Sequence, residues 1–135
     1  MSLAHSYEAI TQGVRVTVEP HYMADRSDPE EGRYFWAYAV EITNLGSLAV
    51  QLISRHWRIT DGNGRTEHVR GPGVVGEMPV IGPGGNFSYT SGCPLPTPSG
   101  IMAGTYHMQV IGGASFEAAI PAFSLDSDHG RRALN

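Results

Sequence analysis

What most constrains this chain is the spacing of its helix breakers. Seventeen glycines and nine prolines are scattered through 135 residues, interrupting the chain about every ten residues and leaving little room for a long helix. Between the breakers the pattern alternates. Val14, Val16 and Val18 alternate with Arg15, Thr17 and Glu19 before Pro20, which reads as a half-buried strand. Tyr34–Asn44 places Tyr34, Trp36, Tyr38, Val40 and Ile42 on one face and Phe35, Ala37 and Ala39 on the other, so this strand is expected to be central.

Ala49–Thr60 has conflicting parity, since Ile53, Trp57 and Ile59 oppose Val50 and Leu52; a bulge near Ser54 would reconcile them. Asp61-Gly62-Asn63-Gly64 then reads as a hairpin loop, and Arg65–Arg70 returns as a polar edge strand. Asn86–Thr90, Thr105–Ile111 and Ser115–Leu125 complete the set, the last with Pro121 at an edge or bulge. Ser91–Gly104 is expected to be neither helix nor central sheet, because Pro94, Pro96 and Pro98 remove donors at alternate positions. The polar N-terminal residues through Glu8 are expected to fray. About seven short antiparallel strands imply an all-β sandwich of the immunoglobulin or fibronectin type III kind, with a small barrel as the alternative. Residues 1–125 form its single domain and 126–135 a charged, disordered tail.

Charge and cysteine usage narrow the function classes. The net charge of −4, with both signs mixed along the chain, gives no pull toward nucleic acid or an anionic membrane. Cys93 is the single cysteine, so no intramolecular disulfide forms. No apolar window reaches the roughly 18 residues of a membrane helix. The N-terminus also lacks the layout of a secretion signal, so a soluble, cytoplasmic protein is expected.

Several motifs carry a family resemblance. They are SRHW-x-ITD at Ser54–Asp61, GPGVVGEMPVI-x-PG at Gly71–Gly84, F-x-Y-x-SG at Phe87–Gly92, TP-x-G-x-M-x-G-x-Y-x-M at Thr97–Met108 and IP-x-F-x-L at Ile120–Leu125. In that order they resemble the ApaG family, from roughly Tyr7 to Leu125. The resemblance implies a fibronectin type III-like sandwich and a bacterial protein linked to cobalt tolerance and magnesium efflux. It also implies a module that eukaryotic F-box proteins and a polymerase-δ-interacting protein use to bind partners or ligands.

Three kinds of site follow. Gly71, Gly73 and Gly76 spell G-x-G-x-x-G, and the family has been discussed as a phosphate binder on that account. The dinucleotide version of this motif requires a helix behind the loop. Here Met78-Pro79-Val80-Ile81-Gly82-Pro83 follows, and Pro72 lacks an amide. What remains is an anion nest of amides near His68 and Arg70, or a bend carrying the chain from one sheet to the other. For a metal, His56 lies opposite His68 if the hairpin loop has three residues, and apart from it if the turn is Asn63-Gly64; imidazoles suit cobalt better than magnesium. For a partner surface, Arg55, Trp57 and Arg58 are residue types favoured at interfaces, with Trp57 as a core residue the alternative. The edge strand Arg65–Arg70 could add a strand from another chain, giving a homodimer. The pairs Ser54–His56 and Cys93–His107 can be named as nucleophile and base, but nothing in the spacing brings an orienting acid to either. The expectation is a non-enzymatic binding or accessory module without a firm cofactor, a divalent metal at His56 and His68 being the weakest of the three sites.

Overall fold

The computed structural model describes residues 6–127. It is a sandwich of two antiparallel sheets, as expected, with nine strands rather than about seven. The first sheet has the order β1-β2-β3-β7, formed by β1 (Tyr7–Thr11), β2 (Val14–Tyr22), β3 (Tyr34–Asn44) and β7 (Asn86–Leu95). The second has the order β5-β4-β8-β9, formed by β4 (Val50–Asp61), β5 (Thr66–Pro72), β8 (Ser99–Val110) and β9 (Ser115–Asp126). The short β6 (Val80–Ile81) is also paired to β4. Two single 3₁₀ turns, at Ala24–Arg26 and Pro29–Glu31, interrupt the acidic loop before β3. Among the described residues no helix is long and apolar enough to cross a membrane.

Period-two patterning accounts for most of the layers. The three valines of β2 and the odd–even alternation of β3 put Val14, Val16, Val18, Trp36, Tyr38, Val40 and Ile42 into the core. Trp57 sits near its centre, edge-on to Tyr38 at 5.3 Å, Tyr106 at 6.5 Å and Phe123 at 6.0 Å between ring centroids. Trp36 reaches the end of β9, where its Nε1–H donates to the Asp126 carbonyl at 3.0 Å.

The parity conflict in β4 is resolved as its sequence requires. Leu52 pairs with Met108 and Ser54 with His107, leaving Ile53 as an extra residue. Val50 and Leu52 are buried before the bulge and Trp57 after it. A second register shift, between Met102 and Gly104 of β8, faces the Pro121 region of β9.

Four expectations are corrected. β1 begins at Tyr7, inside the stretch expected to fray, and is stapled along β2. β8 begins at Ser99 and runs between β4 and β9, so the segment after Pro98 is central sheet; Pro94 itself lies on β7, an edge, where a missing donor is tolerated. β9 continues through Asp126, and Ser127 is buried with its amide on the Pro98 carbonyl, so the ordered body passes residue 125; residues 128–135 lie outside the described residues. The glycine loop does not join the sheets. β5 and β6 flank it along the same edge of β4, and the crossing to the first sheet occurs at Gly82–Gly85, where buried Asn44 exchanges backbone hydrogen bonds with Gly84 and Gly85.

Deleting Ile53 should cost at least about 4 kcal/mol, because closing the bulge turns either Val50 and Leu52 or Trp57 out of the core. Urea denaturation measures it; a loss below about 1 kcal/mol would show that the bulge does not set the register.

Candidate functional site

The sandwich is closed on one side and open on the other. β9 packs against β1 and β2, and the Thr11 hydroxyl accepts the Ala119 amide at 3.0 Å. On the opposite side the edge strands β5 and β7 stand apart, and between them lies a cavity of about 400 Å³. Trp57, Val69, Val74 and Met102 form its apolar walls, with Arg55, Tyr89, Ser91 and Glu67 as its polar groups.

Arg55 shares the inner parity of β4 with Trp57 and therefore points between the sheets. Its Nη1 donates to the Pro72 carbonyl at 3.0 Å and the Gly73 carbonyl at 2.8 Å. The guanidinium lies flat on Gly71, where an added Cβ would stand 3.0–3.1 Å from its nitrogens and Cζ. Behind it the Tyr89 and Tyr106 hydroxyls meet at 2.5 Å, joining β7 to β8 across the interior. Burial raises both phenol pKa values, and that of Tyr38, further above neutrality.

The glycine loop is an excursion from the edge of the sheet. The Gly73 amide bonds the Ile53 carbonyl, the Leu52 amide bonds the Pro79 carbonyl, and residues 73–79 bulge out between those two bonds. Val74 and Glu77 exchange both backbone bonds around a two-residue turn with Val75 at φ +43° and Gly76 at φ +80°, the primed geometry that favours Asn-Gly. A Cβ on Gly73, itself at φ +58°, would run into the Glu77 carbonyl. Among the described residues no helix follows Gly76. The amides of Gly73, Val74 and Glu77 are spent on backbone carbonyls, and the loop turns two carbonyls toward Arg55. With the Gly73 and Val74 amides bonded, no continuous run of free amides passes through the loop. His68 and Arg70 are not beside it either, since they project from the outer face of β5 while Gly71, Val69 and Glu67 face inward.

The other sequence-derived sets also divide. Trp57 is 3% exposed, Arg55 faces the cavity and Arg58 is exposed on the outer face, so these three do not form one partner surface. The hairpin loop spans Asp61–Arg65, fastened by Asp61 Oδ1 accepting the Asn63 and Arg65 amides, so β4 pairs His56 with Arg70 and Arg58 with His68. His56 and His68 are diagonal rather than opposite, yet His56 Nε2 and His68 Nδ1 lie 2.9 Å apart. Desolvation first, and then the charges of Arg70, His68 and Arg58, hold His56 below the ordinary histidine range. Among the described residues there is no group of three or more His, Cys, Asp or Glu side chains that could hold a metal.

On the same outer face Ser54 pairs with His107, whose Nδ1 is 2.6 Å from Glu117, a row that sequence spacing did not reveal. Ser54 makes no hydrogen bond to His107, and the row lies across strand faces open to solvent. Cys93 and His107 sit on opposite sides of the sandwich, one in the core and one on the outer face. Arg55 as a cavity residue was the readable signal that was missed: it lies two positions from a core tryptophan on the same strand.

The family model described as the ApaG domain matches residues 24–110. The ApaG protein of Methylorubrum extorquens strain PA1 is 63% identical over 129 residues, covering 96% of this chain and 99% of its own. The chain belongs to the ApaG family. ApaG of Rhodospirillum centenum is 58% identical over the same shares of both chains. The crystal structure of the ApaA protein from Bordetella pertussis superposes with a TM-score of 0.83 at 52% identity, covering 85% of this chain and 94% of that one. Every cavity residue named above lies inside the matched ApaG domain, whereas β1, β2 and β9, which close the far side, lie outside it.

Two expectations follow from the site geometry. Val75→Asn, which places Asn-Gly in the primed turn, should stabilise the fold by about 1 kcal/mol, while Gly73→Ala should destabilise it by about 2 kcal/mol or more; thermal melts of both variants decide. Burial pushes the Cys93 thiol up to about 11, so its reaction with a disulfide reagent at pH 8 should be roughly 100-fold slower in the folded chain than in urea. Equal rates would place Cys93 outside the core.

Proposed function

We propose that this ApaG-family chain is a non-enzymatic recognition module that binds a protein partner through the open side between β5 and β7. The observation that carries the reading is Arg55, a cation braced on the inner face of a β-sandwich and opening onto the cavity on the side away from the β1–β9 contact. Three apolar side chains stand exposed along the adjoining loop and β6: Val75 at 54%, Met78 at 46% and Val80 at 58%. An apolar rim around a recessed cation is the arrangement of an interface hot spot with its surround. A shared role in divalent cation tolerance would then run through the partner, with His56 and His68 supplying two of the three or four ligands that a direct site needs.

A photo-crosslinking residue at Val75 tests this in cells that make the protein. A discrete crosslinked protein is expected from Val75, reduced in an Arg55→Lys background, and absent when the same residue is placed at Ile10 on the closed side. Equal crosslinking from both positions, or none from Val75, removes the open side as a protein-binding surface.

A further inference from the structure

Arg55 is the one cation among the described residues that faces the space between the sheets, and its bonding is incomplete. Nη1 is committed to two carbonyls, which fix the plane of the guanidinium, but Nη2 and Nε donate to no acceptor among the described residues. The ion pairs recorded there are both between histidine and glutamate, so no carboxylate neutralises Arg55. A second donor stands nearby. Tyr106 is fully buried and its hydroxyl has Tyr89 as its sole partner among the described residues, so its proton goes to Tyr89; otherwise that hydrogen would be buried without an acceptor. The Tyr89 proton is then left to the cavity that Tyr89 lines. Two preorganised donor groups with no acceptor between them, walled by Trp57, Val69, Val74 and Met102, describe a site for an oxyanion attached to an apolar body.

The charge of that oxyanion follows from the rim. Glu67 lines the same cavity but makes no ion pair with Arg55, so one cation stands there unpaired. One cation compensates a monoanion; a dianionic phosphate would leave its second charge uncompensated, in a partly desolvated space that Glu67 also lines. The planar fork of a guanidinium also matches a carboxylate in two-point contact.

We propose that the cavity between β5 and β7 binds a monocarboxylate carried on an apolar group, with Arg55 and Tyr89 holding the carboxylate and the Trp57–Val69 wall the apolar body. The proposal rests on the open side being the working surface, and it specifies what the partner presents there. A free organic acid and the C-terminus of a chain ending in an apolar residue share this chemistry.

The test uses the full chain and amide-proton NMR with four probes: 3-phenylpropanoate, a hexapeptide ending in phenylalanine with a free carboxylate, the same peptide amidated, and phenyl phosphate. At least one carboxylate probe should bind saturably with a dissociation constant near or below about 1 mM, the range set by its size. Its shifts should map to Arg55, Val69, Val74 and Ser91. The amidated peptide should bind about 10-fold or more weakly than its acid, and Arg55→Lys should weaken the acid by about 10-fold while the melting temperature holds. Tyr89→Phe, which keeps the ring and deletes the donor, should weaken it about threefold or more. Tighter binding of the peptide than of phenylpropanoate assigns the source to a chain terminus, and the reverse to a free acid. The proposal is overturned by equal binding of acid and amide, by tighter binding of phenyl phosphate, by shifts confined to His56 and Arg70 on the outer face, or by no shift at about 20 mM probe. Crosslinking from Val75 with no carboxylate preference would overturn this ligand class and leave the open-side reading standing; failure at Val75 alone strikes the protein partner and not the carboxylate.

Discussion

The extra residue at Ile53 is the constraint on which the rest depends. Val50 and Leu52 have even parity and Trp57 odd, and a strand without a bulge can bury only one of those sets. With Ile53 set out of register, both sets face the core, and everything beyond the bulge takes a fixed direction. Arg55 is carried inward beside Trp57, while Ser54, His56 and Arg58 are carried outward. The same step explains the neighbouring edge. Opposite Leu52 and Ile53 the paired strand is interrupted, and residues 73–79 leave the sheet and return. The loop whose carbonyls brace Arg55 is thus the partner-strand counterpart of the bulge that turns Arg55 toward them.

Asymmetric closure follows from which edges find a neighbour. β9 lies across β1 and β2, sealing that side. β5 and β7 have no such cover, and both carry features that discourage strand addition. β5 has Glu67, His68 and Arg70 along an exposed ribbon, and β7 has Gly92 and Pro94. Charged or proline-marked edges oppose indiscriminate pairing, which favours recognition by side chains in the gap over recognition by backbone ladders.

Sequence patterning disclosed the layers better than the site. The valine alternation of β2, the aromatic face of β3 and the parity conflict of β4 each translate directly into burial, because the side-chain period of a strand is fixed. The hairpin register was beyond the reach of counting, since it depends on Asp61 Oδ1 closing a five-residue loop through two amides, a choice the Asp-Gly-Asn-Gly string does not make alone. β1 was hidden for a related reason. Its inner positions Tyr7, Ala9 and Thr11 are only half-buried, so an edge strand of this kind carries little apolar signal. The prolines after Ser91 misled because each removes only its own donor. Pro94 loses it at an edge, and from Ser99 onward no proline interrupts β8.

The G-x-G-x-x-G string shows how a motif can be assembled from unrelated local needs. Gly71 leaves room for the flat guanidinium of Arg55. Gly73 permits both a positive φ and the close approach of the Glu77 carbonyl. Gly76 supplies the second left-handed position of a primed turn. None of these demands involves a phosphate, and the Gly73, Val74 and Glu77 amides are bonded to backbone carbonyls. The electrostatic consequence is opposite to that of a nucleotide loop. Such a loop offers partial positive charge from its backbone; this one offers partial negative charge, and places it against an arginine. The anion preference proposed for the region therefore resides in the one side chain that the loop orients, and Gly71, Gly73 and Gly76 shape the seat of Arg55.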